Sequence, residues 1–242
     1  MMKRWIMVLA AMLGLSVGMA SVCARAQDTE EARLRQALQA KFPKVPLESV
    51  TKMPFGGLYE VVLGAEIIYT DAKAEYMMGG TLYDIRSMPI RNITQETSQR
   101  LASKALAGAH DSAIKMVRGN GKRVIYTFED PNCGYCRELY KEFGKMTDIT
   151  IYTFLLPILS PDSREKSVAV WCSKDRVKAW DQLMTKAALA EQPKPCDTPL
   201  EKNAQLAARF NIRGTPAIFL ASGQQLGGYV PAAQIEQALG KK

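Results

Sequence analysis

Two cysteines, Cys133 and Cys136, stand three positions apart in the stretch Asp130-Pro131-Asn132-Cys133-Gly134-Tyr135-Cys136-Arg137. Thiols at that spacing can serve four chemistries. Covalent haem attachment needs a histidine directly after the second cysteine, and Arg137 stands there. A zinc or copper site needs two further ligands, yet Cys172 and Cys196 make no second close pair and the single histidine, His110, lies well upstream. A purely structural disulfide remains open, although closing so short a loop removes little chain entropy. The fourth chemistry is reversible oxidation of the pair.

The flanking sequence favours redox chemistry. Arg123-Val124-Ile125-Tyr126-Thr127-Phe128 reads as a buried strand before the pair, and Leu139, Tyr140, Phe143 and Met146 mark a helix after it. Cys133 would then sit at a helix N-terminus, where free backbone N–H groups and the positive end of the helix dipole favour a thiolate. A lowered pKa makes Cys133 a nucleophile at neutral pH and a good leaving group. Cys136, one turn further in, is shielded and placed to resolve a mixed disulfide formed by Cys133.

The redox reading depends on compartment, and the N-terminus speaks to it. Lys3 and Arg4 precede an apolar run from Trp5 to about Val22, and Ala24-Arg25-Ala26 offers a cleavage site. Residues 1–26 thus read as a signal peptide, with an uncleaved anchor as the alternative. Val22 ahead of Cys23 speaks against lipidation. Cleavage would leave four cysteines in an oxidising compartment. It would also remove Lys3, Arg4 and Arg25 and no acid, taking the formal charge from +8 to +5. The remaining Lys and Arg are scattered, so solubility follows from the charge and nucleic-acid binding does not.

About 216 mature residues suit one large domain or two small ones. Asp28-Thr29-Glu30-Glu31 resembles a capping box, and Leu34, Leu38 and Phe42 share one face of the adjoining helix, which Pro43 and Pro46 end. From Leu58 to Ile85 short apolar runs alternate with turn signals at Gly64, Asp71-Ala72-Lys73 and Gly79-Gly80, giving a small antiparallel sheet. This domain, residues 27–92, is too small to bury a good core alone and calls for a partner surface. Thr94 would cap a linker helix within 93–112 with only a thin apolar stripe. Residues 113–242 read as βαβ through a second strand at Ile149–Leu156, then a helical insertion from about 160 to 210 broken at Gln192–Pro199. Strands at Ala217–Leu220 and Gln225–Tyr229 and a helix from Pro231 to Leu239 complete the chain. The acids nearest the motif, Glu129 and Asp130, are expected to be solvated loop or helix-start carboxylates. His110 and Met77-Met78 are expected to be packing or surface.

The Cys133-Gly134-Tyr135-Cys136 motif, with Gly214-Thr215-Pro216 ahead of a strand, resembles thioredoxin-fold disulfide isomerases of the DsbC/DsbG type and is closer to the DsbC pattern. The likeness covers the whole mature chain. It implies an α/β class: a C-terminal thioredoxin fold with helical insertion, a small N-terminal α+β dimerisation domain, and a linker helix between them. It implies Cys133 and Cys136 as the catalytic pair and Gly134, Tyr135, Thr215 and Pro216 as the substrate-binding residues, with the Thr215-Pro216 bond cis. Partners would be misfolded disulfide-containing clients, a second copy of the chain, and a periplasmic setting with a membrane electron donor of the DsbD type; no cofactor or metal is needed. Cys172 and Cys196, about two dozen residues apart, are expected to form a structural disulfide in an oxidising compartment, with two inert thiols as the alternative. The rival functions are a thiol oxidase, a client-specific dithiol reductase, and a chaperone-like binding module with incidental thiols.

Overall fold

The structure, a computed structural model, describes residues 30–189 and 193–240. The leader, Cys23, the Asp28-Thr29 start of the capping box and Gln192 lie outside the described residues. The chain divides into two compact units, Met1–Thr81 and Leu82–Lys242.

In the first unit, helix α1 over residues 30–41 buries Leu34 and Leu38 against Val50, Tyr59, Val61, Leu63 and Ile68. These side chains come from an antiparallel meander of β1 (Leu47–Lys52), β2 (Leu58–Leu63), β3 (Glu66–Asp71) and β4 (Met77–Gly79), in that order across the sheet. Strand β1 escapes a pattern search because Val50 is its only buried residue, and its register slips between Leu47 and Ser49. At the far edge, β4 is exposed along its whole length.

The second unit opens with a two-stranded ribbon of β5 (Tyr83–Asp84) and β6 (Arg91–Asn92). Residues 82–92 cluster with the second unit. Helix α2 (Ile93–Ala107) comes next, capped by Asn92, whose side chain accepts from the Gln95 N–H at 2.9 Å. Thr94, expected as the cap, lies inside the helix and accepts from the Leu82 N–H instead. After a short 3-10 turn at His110–Ser112, the chain forms β7 (Ile114–Arg118), β8 (Arg123–Glu129), α3 (Gly134–Gly144) and β9 (Ile149–Leu155). The insertion comprises α4 (Pro161–Cys172), α5 (Arg176–Lys186) and α6 (Leu200–Arg209), and β10 (Ala217–Leu220), β11 (Gln225–Gly227) and α7 (Ala232–Leu239) complete the fold.

The five-stranded sheet runs β11-β10-β8-β9-β7, with β8 and β9 parallel and the other pairs antiparallel. Period-two alternation sorts β8 between two layers. Tyr126 and Phe128 face Ala102 and Leu106 of α2 and Ala207 of α6. Ile125 faces Leu139 and Phe143 of α3 and Ile235 of α7. Helix α2 is thus more than a linker: its stripe is thin, but Leu106 and Ala102 are buried in the core. His110 packs there too, stacked on Tyr152 at 3.9 Å with its Nε2 3.0 Å from the Tyr126 hydroxyl.

Candidate active site

Strand β8 delivers the chain to the cysteines, and Asp130 fixes the course of the loop that carries them. Its side chain is fully buried and accepts four hydrogen bonds: from the Asn132 N–H (2.7 Å), the Ser163 hydroxyl (2.8 Å), and the N–H groups of Ile158 (2.7 Å) and Leu159 (2.9 Å). One carboxylate therefore ties the cysteine loop to the start of α4 and to the 157–160 loop. Asn132 reinforces the tie, donating to Ser160 and Ser163 and accepting from Lys166 Nζ at 2.6 Å.

Cys133 is the N-cap of α3, and its sulfur accepts from the Cys136 N–H at 3.2 Å. Across the site its thiol donates to the Thr215 carbonyl, also at 3.2 Å, and the Thr215-Pro216 bond is cis. The Thr215 hydroxyl is buried without another partner, free to donate once the sulfur is a thiolate. The Cys136 thiol, then the Thr215 hydroxyl and the backbone N–H groups of Cys136 and Tyr135, outweigh burial and pull Cys133 down to about 6. Cys136 is fully enclosed, and burial first, then its contact with Cys133 and the nearby Glu129, pushes its thiol far up. The two sulfurs are chemically unequal: one, on a residue only 3% exposed, ionises readily at the N-terminal end of the helix, and the other stays protonated beneath it.

The surroundings of this pair are apolar and exposed. Tyr135, two-thirds exposed, lies 6.2 Å from the Tyr229 ring, and Ile158 and Leu159 project from the loop that Asp130 holds. A Cβ at Gly134 would meet nothing within 4 Å, which leaves an open approach over the first turn of α3.

Glu129 and Asp130 differ from expectation, since neither is solvated. Glu129 is 1% exposed, its Oε1 accepting from the Thr127 hydroxyl at 2.7 Å and its Oε2 without a partner. Burial raises its pKa to about 8. A linear signal for it exists: continued one residue past Phe128, the β8 alternation puts Glu129 in phase with Ile125 and Thr127. For Asn132 and Ser163 no linear signal exists, because their roles depend on the fold bringing α4 to the cysteine loop.

Cys172, at the end of α4, is bonded to Cys196 (S–S 2.11 Å, Cα–Cα 5.7 Å), which anchors the insertion next to the core cluster that includes Cys133 and Cys136. Cys133 and Cys136 are free thiols, and no cluster of three or more His, Cys, Asp or Glu suited to a metal occurs among the described residues.

Residues 110–242 match a thioredoxin-like domain profile, and residues 25–95 match that of the disulfide bond isomerase N-terminal domain. A "Probable thiol:disulfide interchange protein DsbC" of Bordetella parapertussis is 37% identical over 217 residues, covering 89% of this chain and 76% of that protein. The "Thiol:disulfide interchange protein DsbC" of Escherichia coli K12 is 26% identical, covering 84% of this chain and 86% of its own length. A solved disulfide interchange protein from Neisseria gonorrhoeae superposes with a TM-score of 0.51 at 41% identity, over 54% of this chain and 94% of that one.

Proposed function

Because this chain belongs to the DsbC family of thiol:disulfide interchange proteins, and is thereby a thiol:disulfide oxidoreductase with disulfide isomerase function, we propose that Cys133 is its nucleophile and Cys136 its resolving thiol. The observation that carries this assignment is the asymmetry of the pair: Cys133 caps α3 and has a depressed pKa, while Cys136 is sealed beneath it with a raised one. The Cys133 thiolate attacks a non-native disulfide of a client, forming a Cys133–client bond and releasing one client sulfur as a thiolate. If another client thiolate then attacks the client sulfur of that bond, the client leaves with a different disulfide and Cys133 is regenerated. If Cys136 attacks Cys133 instead, the client leaves reduced and a Cys133–Cys136 disulfide remains. The first outcome is isomerisation and the second is reduction.

Gly134, Tyr135, Thr215 and Pro216 form the client-binding surface in this reading. The carbonyl of Thr215, 3.2 Å from the Cys133 sulfur, supports that role, since an extended client segment can lie beside it. The exposed apolar side chains of Tyr135, Ile158 and Leu159 suit unfolded clients, whose own apolar segments are not yet buried. The exposed β4 edge, with Met77 and Met78 exposed on it and Tyr76 exposed just before it, supports assembly of the first unit with a second copy into a homodimer. The leader composition supports a periplasmic location, and oxidised protein would be returned to the dithiol by a membrane donor of the DsbD type.

Trapping tests the assignment. Cys136→Ser should accumulate client adducts joined through Cys133, located by mass spectrometry of the digested adduct, whereas Cys133→Ser should give none. Adducts joined through Cys136 would reverse the roles.

A further inference from the structure

Strands β8 and β9 run parallel and finish side by side at the Glu129–Leu155 pair, so the loops that follow them leave the same edge of the sheet. In α/β sheets the carboxyl edge of parallel strands is where ligands bind. One of these loops carries Cys133. The other carries Ile158 and Leu159, large apolar side chains that stay 47% and 52% exposed.

A single carboxylate joins the two loops. Asp130 Oδ1 accepts from the Asn132 N–H and the Ser163 hydroxyl, and Oδ2 accepts from the N–H groups of Ile158 and Leu159. On the Oδ1 side this closes a turn, reinforced by the Cys133 N–H donating to the Asp130 carbonyl at 3.0 Å, that brings Cys133 to the start of α3. On the Oδ2 side it holds Ile158 and Leu159 by their backbone and leaves both side chains exposed as an apolar ridge. Two donors on each oxygen use the acceptor capacity of a carboxylate in full, and a carboxamide, with one oxygen, cannot satisfy both loops. The charged groups beside this junction, Lys166 and Asp162, pair with each other at 2.7 Å, and Lys166 also holds Asn132, so the charge next to the ridge is neutralised.

We propose that Asp130 determines specificity: by fixing Ile158 and Leu159 beside the Cys133 loop, it builds a subsite for an apolar side chain that flanks the reactive cysteine of a client. This rests on the assignment of Cys133 as nucleophile. Asp130 is a positioning residue here, and Ile158 and Leu159 make the contact. The occupant follows from the exchange step. While the client sulfur reacts at Cys133, an extended client chain advances about 3.3 Å per residue, so side chains one or two positions away lie beside the cysteine loop and reach the ridge that Asp130 ties to it. An apolar side chain free to sit there is one that the client has not yet buried in its own core.

Fixing the ridge matters because a loop already held in its binding conformation loses no further freedom when a client arrives. Without the Oδ2 bonds the same two side chains have to be ordered at each encounter. Covering about half of a leucine-sized side chain on the fixed ridge should favour a client roughly fivefold to tenfold.

The test uses the full reduced chain and two short peptides, each with its one cysteine disulfide-bonded to the same coloured aryl thiol. One peptide has leucine two positions to either side of the cysteine and the other has serine there. Attack bonds Cys133 Sγ to the peptide sulfur, and the aryl thiolate leaves with the electron pair. The readout is the leucine-to-serine ratio of second-order rate constants, which cancels any change in the reactivity of Cys133 itself. The parent ratio should be about fivefold or more, carried by the half-saturating concentration. Asp130→Asn, and separately the paired surface change Ile158→Ser with Leu159→Ser, should each bring the ratio to about twofold or less, and combining them should lower it no further. If Asp130→Asn does not melt cooperatively, Ser163→Ala, which removes one of the four donors, carries the test and should lower the ratio about twofold. A parent without preference, a ratio that survives the Ile158 and Leu159 changes, or slower reaction of Asp130→Asn with the ratio kept would each overturn the proposal. Colour release from Cys133→Ser at the parent rate would instead overturn the assignment of the nucleophile.

Discussion

The depressed pKa of Cys133 gives it a reactivity advantage that changes sign with pH. An ordinary cysteine at 9.0 and Cys133 at about 6 differ by about three units. At pH 5 the ionised fractions are then ~10% for Cys133 and ~0.01% for the ordinary thiol, a ratio of ~900. A less basic thiolate is a weaker nucleophile, and a Brønsted slope of ~0.4–0.5 takes back ~16–32-fold. The net advantage of Cys133 is therefore ~30–60-fold at pH 5 and ~3–6-fold at pH 7, and it becomes a disadvantage of ~16–32-fold well above pH 9, where both thiols are ionised. The assay is alkylation of the reduced protein beside a small reference thiol from pH 4 to 10, with the modified site identified by peptide mapping. Thr215→Val, which removes a donor to the thiolate, should move the Cys133 midpoint up by about one unit without lowering the melting temperature. A Cys133 profile with its midpoint near 9, or reaction through Cys136 at pH 5, would show that the helix cap and Thr215 do not stabilise the thiolate.

The bond between Cys172 and Cys196 closes a loop with a sequence separation of 24, worth about 3.5 kcal/mol in the chain-entropy account. The double alanine variant should melt roughly 7–14 °C lower, while Cys133 alkylation at pH 5 stays within about twofold. A second prediction concerns truncation. A fragment beginning at residue 82 keeps Ala102 and Leu106 against Tyr126 and Phe128 and should show a cooperative melt, whereas one beginning near residue 113 uncovers that face and should lose the transition or bind a hydrophobic dye. Indistinguishable melting of the two fragments would show that α2 contributes nothing to the core.

What can be read from the linear sequence depends on how local each signal is. The cysteine spacing, the apolar run before it and the helical stripe after it lie within about two dozen residues, so strand, motif and helix can be placed together. Thr215 is 82 positions from Cys133, and its relevance comes from resemblance to a known motif rather than from pattern. Strand β7 escapes the pattern because Ile114–Arg118 alternates weakly and lies at the sheet edge, where only Ile114 is buried. Helix α2 reads as a linker because a stripe built on alanine and one leucine looks thin until Tyr126 and Phe128 are set against it. Asp130 and Glu129 depart furthest from expectation. A carboxylate in a linear sequence reads as solvated: only the fold supplies the four donors that satisfy Asp130, and the enclosure of Glu129 is signalled only by its phase with Ile125 and Thr127.

Catalytic thiol exchange at Cys133 is best measured as recovery of activity from a scrambled multi-disulfide protein incubated with small amounts of the reduced chain in a glutathione buffer. The parent protein should restore activity over many turnovers, and Cys133→Ser should remain at the rate of the buffer alone. Restoration by Cys133→Ser at the parent rate, or restoration only at stoichiometric amounts together with equal protection of a cysteine-free aggregating protein, would contradict thiol exchange at Cys133 and point to a binding module instead.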